Sequence, residues 1–131
     1  LLTLAPRPEA VTLDLSYLSL EKAIPLAGAI LGGKGEAACL VKPLFEVPSS
    51  LSRRTGVIES EEIYRELLRA LCRFVRERGD GVFGVCPSPI RGGKNSVEFF
   101  LGVRFGDEAL GDAEIEDRIE HAMRNIAPEE K

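Results

Sequence analysis

Apolar residues along the chain follow two spacings, which separate candidate strands from candidate helices. Apolar, partly β-branched runs predict strands over Ala10–Asp14 and Glu36–Lys42, and the second run has the continuous apolar centre typical of a parallel strand buried on both faces. Two later runs, Val82–Cys86 and Ser96–Arg104, predict antiparallel strands joined by the wide hairpin Pro87–Asn95. The pattern therefore gives four candidate strands.

Helical spacing marks the segments between these strands. The first predicted helix covers Leu20–Leu31, with Ser19 as its expected N-cap and glycines from Gly32 onwards as its stop. Pro25 lies inside this segment and is expected to bend the helix or to set its true start.

Two further helices follow. The longest predicted helix covers Glu61–Arg78 with Ser60 as its cap, and an acidic helix is predicted over Ala113–Asn125. The segment Phe45–Gly56 contains a proline and several serines, so we expect a loop there and the best candidate for a mobile segment.

These elements follow one another as β-α-β-α-β-β-α, which predicts an α/β fold with a parallel sheet and a final antiparallel hairpin. A chain of 131 residues is long enough for one domain with a core and too short for two. We expect one domain over residues 1–131, with its core at 10–104 and an acidic linker and helix at 105–131. In open α/β sheets, ligands bind beyond the carboxyl ends of the parallel strands.

Composition narrows the function classes only slightly. Hydrophobic residues make up 44% and charged residues 29%, which is ordinary for a globular protein, and no apolar run approaches the ~20 residues that span a membrane. The chain begins with Leu1 and shows no signal peptide, so we expect a processed chain or a piece of a longer one. Cys39, Cys72 and Cys86 lack a CxxC spacing, and we interpret them as buried reduced thiols. With His121 as the single histidine, the sequence has few residues for a zinc site.

Charge is distributed unevenly along the chain. The net charge of −4 divides into −1 for residues 1–52, +3 for residues 53–105 and −6 for residues 106–131. The middle segment is the one suited to a polyanion, although the solvated face of a mixed-charge helix explains such an excess as well.

Two local motifs suggest a phosphate-binding loop and nucleophilic serines, but both have simpler explanations. Gly28–Gly35 nearly matches a phosphate-binding loop, yet Gly35 stands where magnesium needs a Ser or Thr, and the glycines end a helix. Ser49, Ser50 and Ser52 have no histidine nearby in sequence and no nucleophile-elbow pattern. We interpret the first motif as a helix terminator and the serines as loop polarity.

Three ionisable residues stand in or beside apolar strand segments, where charges are uncommon without a partner or a function. Asp14 and Lys42 fall at the carboxyl ends of the predicted parallel strands, and Glu98 lies in the last predicted strand. A structural ion pair, or charges that reach water, would explain them. The alternative is a lysine amine held by two carboxylates, which can accept a proton from a hydroxyl or stabilise an oxyanion.

The segments around these residues resemble those of the hemolysin-A-type (TlyA) branch of the FtsJ-like ribose methyltransferases. That family has the segments D-V-S-F-I-S-L, V-K-P-Q-F-E, a Gly-Val-Val turn and S-P-I-x-G-x-x-G-N-x-E-F. The corresponding segments here are Asp14–Leu20, Val41–Glu46, Thr55–Ile58 and Ser88–Phe99. The resemblance spans roughly residues 10–104, in order and with consistent spacing.

The resemblance implies a Rossmann-like methyltransferase sheet and methyl transfer from S-adenosylmethionine to a ribose 2′-hydroxyl of ribosomal RNA by a Lys-Asp-Lys-Glu tetrad. It makes Asp14 the tetrad's Asp and a cofactor-binding residue. It makes Lys42 the second Lys, nearest to the hydroxyl, and Glu98 the Glu. The expected partner is ribosomal RNA or a ribosomal subunit, and the expected location is the cytoplasm.

The family's first tetrad Lys, its Gly-rich cofactor loop and its RNA-binding S4 domain all precede the Asp segment, and residues 1–13 contain no counterpart. We therefore expect a partial sheet without the cofactor-binding first half, inactive on its own. The strand ending at Asp14 would then have an exposed edge, which favours pairing with another chain. We expect an edge-to-edge or swapped homodimer, or poor solubility, and a clean monomer in sedimentation would contradict this expectation.

RNA contacts are predicted at Arg53, Arg54, Arg91 and Lys94, which flank the expected site on loops. Solubility explains these charges equally well, and a binding constant independent of salt would contradict phosphate contacts. A non-catalytic half-domain that binds RNA or protein is the alternative to the enzyme, whereas membrane lysis finds no support in the apolar pattern.

Overall fold

The computed structural model describes residues 6–16, 18–46 and 61–128, the side chain of Lys94 excepted. The strands are β1 (Ala10–Leu13), β2 (Glu36–Val41), β3 (Gly81–Pro87) and β4 (Phe99–Arg104). The helices are α1 (Leu20–Leu31), α2 (Pro43–Glu46), α3 (Glu61–Glu77) and α4 (Asp112–Arg124), with a 3-10 turn at Gly93–Asn95. The predicted Ser60 cap, the three loop serines and the Thr55–Ile58 segment lie outside the described residues.

The four strands form one mixed sheet in the order β1-β2-β4-β3. β1 and β2 are parallel, and β4 is antiparallel to both β2 and β3. The predicted α/β class and the antiparallel β3–β4 pair are confirmed. Because β4 lies between β2 and β3, the start of β4 meets the edge of the sheet where β1 and β2 end.

One face of the sheet carries the core. Alternate residues of β2 and β4 on this face are fully buried and form one cluster with apolar residues of α1, α3 and α4; they are Ala37, Cys39, Val41, Phe99, Leu101 and Val103. The other face is more open, because Ala38 and Phe100 are exposed there. The expectation that β2 is buried on both faces is therefore wrong, since the described helices cover only one of them.

Helix α1 has the predicted bounds, Leu20 to Leu31, and accommodates Pro25 in its second turn. It ends at Gly32, whose φ of 75° is a left-handed conformation that favours glycine. The side chain of Ser19 makes no capping hydrogen bond. The Leu20 N–H instead donates to Glu46 Oε1 at 2.9 Å, so a carboxylate from another element supplies the cap.

The predicted loop from Phe45 is partly wrong, because Phe45 and Glu46 belong to the single helical turn α2. Pro43 starts this turn, a position that proline tolerates because its missing N–H would be unpaired in any case. The short helix brings Glu46 back towards the start of α1. The segment after β2 is thereby joined to the segment after β1.

Two of the three cysteines fit the expectation of buried thiols. Cys39 and Cys72 are buried, and burial raises the pKa of each to about 12, so both stay protonated at neutral pH. Cys86 is exposed, contrary to expectation, because it lies on the open face of the sheet. Residues 6–16, 18–46 and 61–128 contain no helix with the length and apolar content to cross a membrane, and no cluster of potential metal ligands.

Candidate active site

The three ionisable residues singled out in the sequence meet at one edge of the sheet. Asp14 directly follows β1, Lys42 directly follows β2, and Glu98 directly precedes β4. The β2–β4 register pairs Val41 with Phe99, and continuing it by one residue places Lys42 opposite Glu98. Direct cross-strand neighbours have Cβ atoms about 4.5–5.5 Å apart, a distance at which opposite charges attract. The inserted antiparallel strand thus supplies the second carboxylate.

Lys42 is the centre of this group. Its Nζ lies 2.6 Å from Asp14 Oδ1, and it donates a hydrogen bond of 3.3 Å to Ser16 Oγ. The Lys42 side chain is only 18% exposed, whereas that of Asp14 is 68% exposed. The amine is therefore held in place from one side, while Asp14 remains open to an approaching molecule. Ser16 was not predicted as a site residue; its signal was its place in the D-L-S segment of the resemblance.

The charges of Lys42 and Asp14 both act on the Glu98 carboxyl group. Partial burial raises the pKa of its carboxyl group above the ordinary value, the Lys42 cation acts to lower that pKa, and the Asp14 anion acts to raise it. Burial is the largest of the three effects. A half-buried carboxyl group among other charges at a sheet edge is typical of a functional site, because such an arrangement costs stability.

Glu46 is a further residue that supports the site. Its hydrogen bond with the Leu20 N–H joins the Lys42 segment to the helix that follows Asp14. Burial raises the pKa of Glu46, the hydrogen bond from Leu20 acts to lower it, and the nearby Glu21 acts to raise it. Glu46 lies in the Val41–Glu46 segment of the resemblance, but no role was predicted for it, because a contact over 26 residues has no local signal.

The predicted RNA-binding residues are only partly placed by the structure. Arg53 and Arg54 lie outside the described residues, and Lys94 is described by its backbone alone, in the 3-10 turn. Arg91 donates from Nε to the Ala127 carbonyl at 3.0 Å and from one terminal nitrogen to the Asn95 carbonyl at 3.1 Å. This guanidinium therefore holds the β3–β4 turn against the carboxyl-terminal segment.

A cleft of about 420 Å³ lies at the opposite end of the sheet, near the start of β3. Arginines of α3 line it, together with acidic residues of α4 and the preceding loop. Arg69 pairs with Glu116, and Arg76 contacts Asp112. We interpret this cleft as a charged junction between α3 and α4, because arginines in its wall already have carboxylate partners.

Glu98→Gln is expected to raise the free energy of unfolding at pH 7. The carboxyl pKa is higher in the folded state than the unfolded value of about 4.3, so the folded state binds the proton more tightly. The contribution of Glu98 to the stability of the natural protein therefore falls as pH rises through the interval between these two values. The substituted amide carries no charge to bury, so the difference should appear above that interval and vanish below about pH 4. Denaturant titrations across this pH range, up to neutral pH, measure it.

Glu120→Gln is the control with the opposite sign. A hydrogen bond from Arg65 lowers the pKa of Glu120, so its charge is favoured by folding and its neutralisation should decrease stability at pH 7. A loss of stability in both variants would show that attraction to Lys42, and not burial, dominates at Glu98.

The chain is similar to proteins with named functions over most of its length. It is 31% identical over 118 residues to the 16S/23S rRNA (cytidine-2′-O)-methyltransferase TlyA of Mycobacterium tuberculosis, covering 89% of this chain and 44% of that protein. It is 28% identical over 119 residues to YqxC of Bacillus subtilis, which is provisionally named an rRNA methyltransferase, covering 91% of this chain and 42% of that protein. The chain thus spans less than half the length of these relatives.

Two solved structures share the fold. A protein from Streptococcus thermophilus, provisionally titled a hemolysin, superposes with a TM-score of 0.76 at 26% identity, over 90% of this chain and 43% of that chain. A similarly titled protein from Lactococcus lactis gives a TM-score of 0.73 at 27% identity, over 88% and 56%. No family model matches the chain. The similarity nevertheless confirms the resemblance seen in the sequence: over most of its length this chain is similar to TlyA-type rRNA methyltransferases, and it shares its fold with the solved proteins titled as hemolysins.

Proposed function

We propose that this chain provides the catalytic edge of an RNA 2′-O-methyltransferase that uses S-adenosylmethionine and acts on ribosomal RNA. The observation that carries the proposal is the convergence of Asp14, Lys42 and Glu98, with the Lys42 amine 2.6 Å from the Asp14 carboxylate. The names of the relatives supply the reaction class, and the geometry supplies the groups that such a reaction needs.

Lys42 is proposed to act on the ribose 2′-hydroxyl. A hydroxyl becomes a nucleophile as its proton leaves, and an amine at hydrogen-bond distance accepts that proton or stabilises the oxyanion that forms. Asp14 and Ser16 hold the amine on one side, which leaves its remaining hydrogen-bonding capacity for substrate. Glu98, from the neighbouring strand, balances the positive charge and fixes the direction of the amine.

Asp14 is also the described residue best suited to contact the cofactor. Its carboxylate is 68% exposed, and a carboxylate accepts hydrogen bonds from hydroxyl and amino groups such as those of S-adenosylmethionine. When bound, S-adenosylmethionine supplies a methyl group on a positively charged sulfur. The carboxylates of Asp14 and Glu98 give this edge an acidic character that fits such a cation.

Arg53, Arg54, Arg91 and Lys94 are proposed to contact RNA phosphates, and Arg91 also holds the turn that contains Lys94. The free edge of β1, which pairs only with β2 among the described strands, supports the proposed homodimer or another chain in that place. A protein that modifies ribosomal RNA would act in the cytoplasm.

The experiment that tests the function measures methyl transfer from labelled S-adenosylmethionine to ribosomal RNA by the whole protein that carries this chain. We expect label in RNA, located in an alkali-resistant dinucleotide, because a methylated 2′-oxygen cannot attack the adjacent phosphodiester. Label released as a methylated base would contradict ribose methylation.

The non-catalytic alternative is separated by calorimetry. The 131-residue chain alone is expected to bind S-adenosylmethionine weakly, whereas the whole protein should bind it with ordinary affinity. RNA binding by the whole protein with neither cofactor binding nor methyl transfer would support a binding module and reject the enzyme.

A further inference from the structure

The turn between β3 and β4 brings its backbone against the Glu98 carboxyl group at Gly92. A Cβ atom added to Gly92 would lie within 2.8 Å of the carboxyl carbon and both carboxyl oxygens of Glu98. Side-chain carbons do not approach other atoms so closely, so any residue larger than glycine would displace this carboxylate. The φ of Gly92 is −84°, an ordinary value, so the requirement for glycine here is steric and not conformational.

The backbone around Gly92 is fixed by hydrogen bonds. The Gly92 N–H donates to the Ser96 carbonyl at 2.8 Å, and Ser96 Oγ donates to the Gly93 carbonyl at 2.8 Å. The Ser88 N–H donates to the Glu98 carbonyl, also at 2.8 Å. Because both sides of the turn are held, an added methyl group would be accommodated by rotation of the Glu98 side chain.

We propose that Gly92 is a positioning residue, whose missing side chain leaves the space in which the Glu98 carboxylate faces Lys42 and Asp14. The inference rests on the proposed function, in which Glu98 orients Lys42. Gly92→Ala should therefore leave the fold intact and move one carboxylate, since the far end of a glutamate side chain rotates at little cost.

The matched control is Gly93→Ala in the same turn. A Cβ atom added to Gly93 meets no heavy atom within 4 Å, so this variant adds the same methyl group without the contact. Both variants change the unfolded chain alike, because each replaces one glycine with alanine. A difference between them therefore reports the contact with Glu98.

The first measurement follows the Glu98 carboxyl resonance of the 131-residue chain by NMR as pH changes. Burial is the largest cause of the raised pKa of Glu98, so displacement towards water in G92A should lower that pKa towards the ordinary value. The G93A variant should titrate like the natural protein. Equal titration of Glu98 in G92A and G93A would overturn the inference.

If G92A does not fold, the double variant Gly92→Ala with Glu98→Ala must fold, because it lacks the side chain that the methyl group contacts. An unfolded double variant would also overturn the inference, since the added methyl group would then be acting on something other than Glu98.

The second measurement is methyl transfer by the whole protein. G92A should lower kcat at least about tenfold with little change in the KM for RNA, whereas G93A should match the natural protein. In an E98A background, G92A should cause no further loss. If E98A itself retains full transfer, the proposed function of the site fails. If E98A is inactive while G92A behaves like G93A, only the role of Gly92 fails.

Discussion

Lys42→Ala is expected to lower methyl transfer by about 10²–10⁴-fold, the range that a positioned acid or base contributes. The reason is that Lys42 is the described cation at the meeting point of β1, β2 and β4, where it contacts Asp14 and Ser16. The fold should survive, because the Asp14 carboxylate that Lys42 leaves behind is largely exposed and stays hydrated without its partner. Transfer of labelled methyl groups to ribosomal RNA and thermal unfolding of the same preparation measure both quantities.

Lys34→Ala is the matched control, since Lys34 is an exposed lysine in the turn between α1 and β2, at the opposite edge of the sheet. It should retain full transfer. Lys42→Arg separates two roles of the amine, because a guanidinium keeps the positive charge but does not lose its proton. Loss of transfer in both Lys42 variants indicates proton transfer, and partial retention in Lys42→Arg indicates charge stabilisation. Full transfer by Lys42→Ala would refute the assignment of the site.

Local signals predicted the elements well. The bounds of α1 agree at both ends, because an amphipathic run begins after Ser19 and stops at a glycine that adopts a left-handed conformation. The ends of the strands differ from prediction by a few residues at most. They differ because a strand ends where pairing with its neighbour stops, which the sequence pattern does not show. The largest such shift is at β4, which was expected from Ser96 and begins at Phe99.

Long-range features could not be predicted from these patterns. No local signal shows that β4 lies between β2 and β3, yet this order brings Glu98 opposite Lys42. The cap of α1 is a similar case, because Ser19 carries the expected side chain and Glu46 makes the bond. Both features depend on contacts between residues far apart in sequence.

The resemblance assigned roles to the site residues, which the local patterns did not. One departure from the family segment has a structural explanation. The family segment S-P-I-x-G-x-x-G-N-x-E-F has its second glycine where this chain has Asn95. Asn95 has a φ of 59°, and asparagine is among the residues that tolerate this left-handed conformation best. The left-handed conformation at this position of the turn is therefore compatible with asparagine. The first glycine of the segment, Gly92, is retained where the Glu98 carboxylate needs space.

Phe99→Ala is expected to decrease the free energy of unfolding by about 3–5 kcal/mol. Phe99 is fully buried at the start of β4, and its ring packs edge-on against Tyr64 with centroids 5.6 Å apart. Removal of the ring leaves a cavity between β4 and α3. The expected decrease is a large part of the roughly 5–15 kcal/mol by which an ordinary domain is stable. Urea titration should show a lower midpoint with an unchanged slope.

Phe100→Ala is the control that the strand itself provides. Phe100 is the next residue of the same type, but it is 38% exposed on the opposite face, so its loss should cost about 1 kcal/mol or less. A large difference between the two variants supports a sheet with its core on one face. Equal losses would contradict that arrangement, because they would mean that the face carrying Phe100 is covered in solution. Sedimentation of the natural chain would then show whether a second copy covers it.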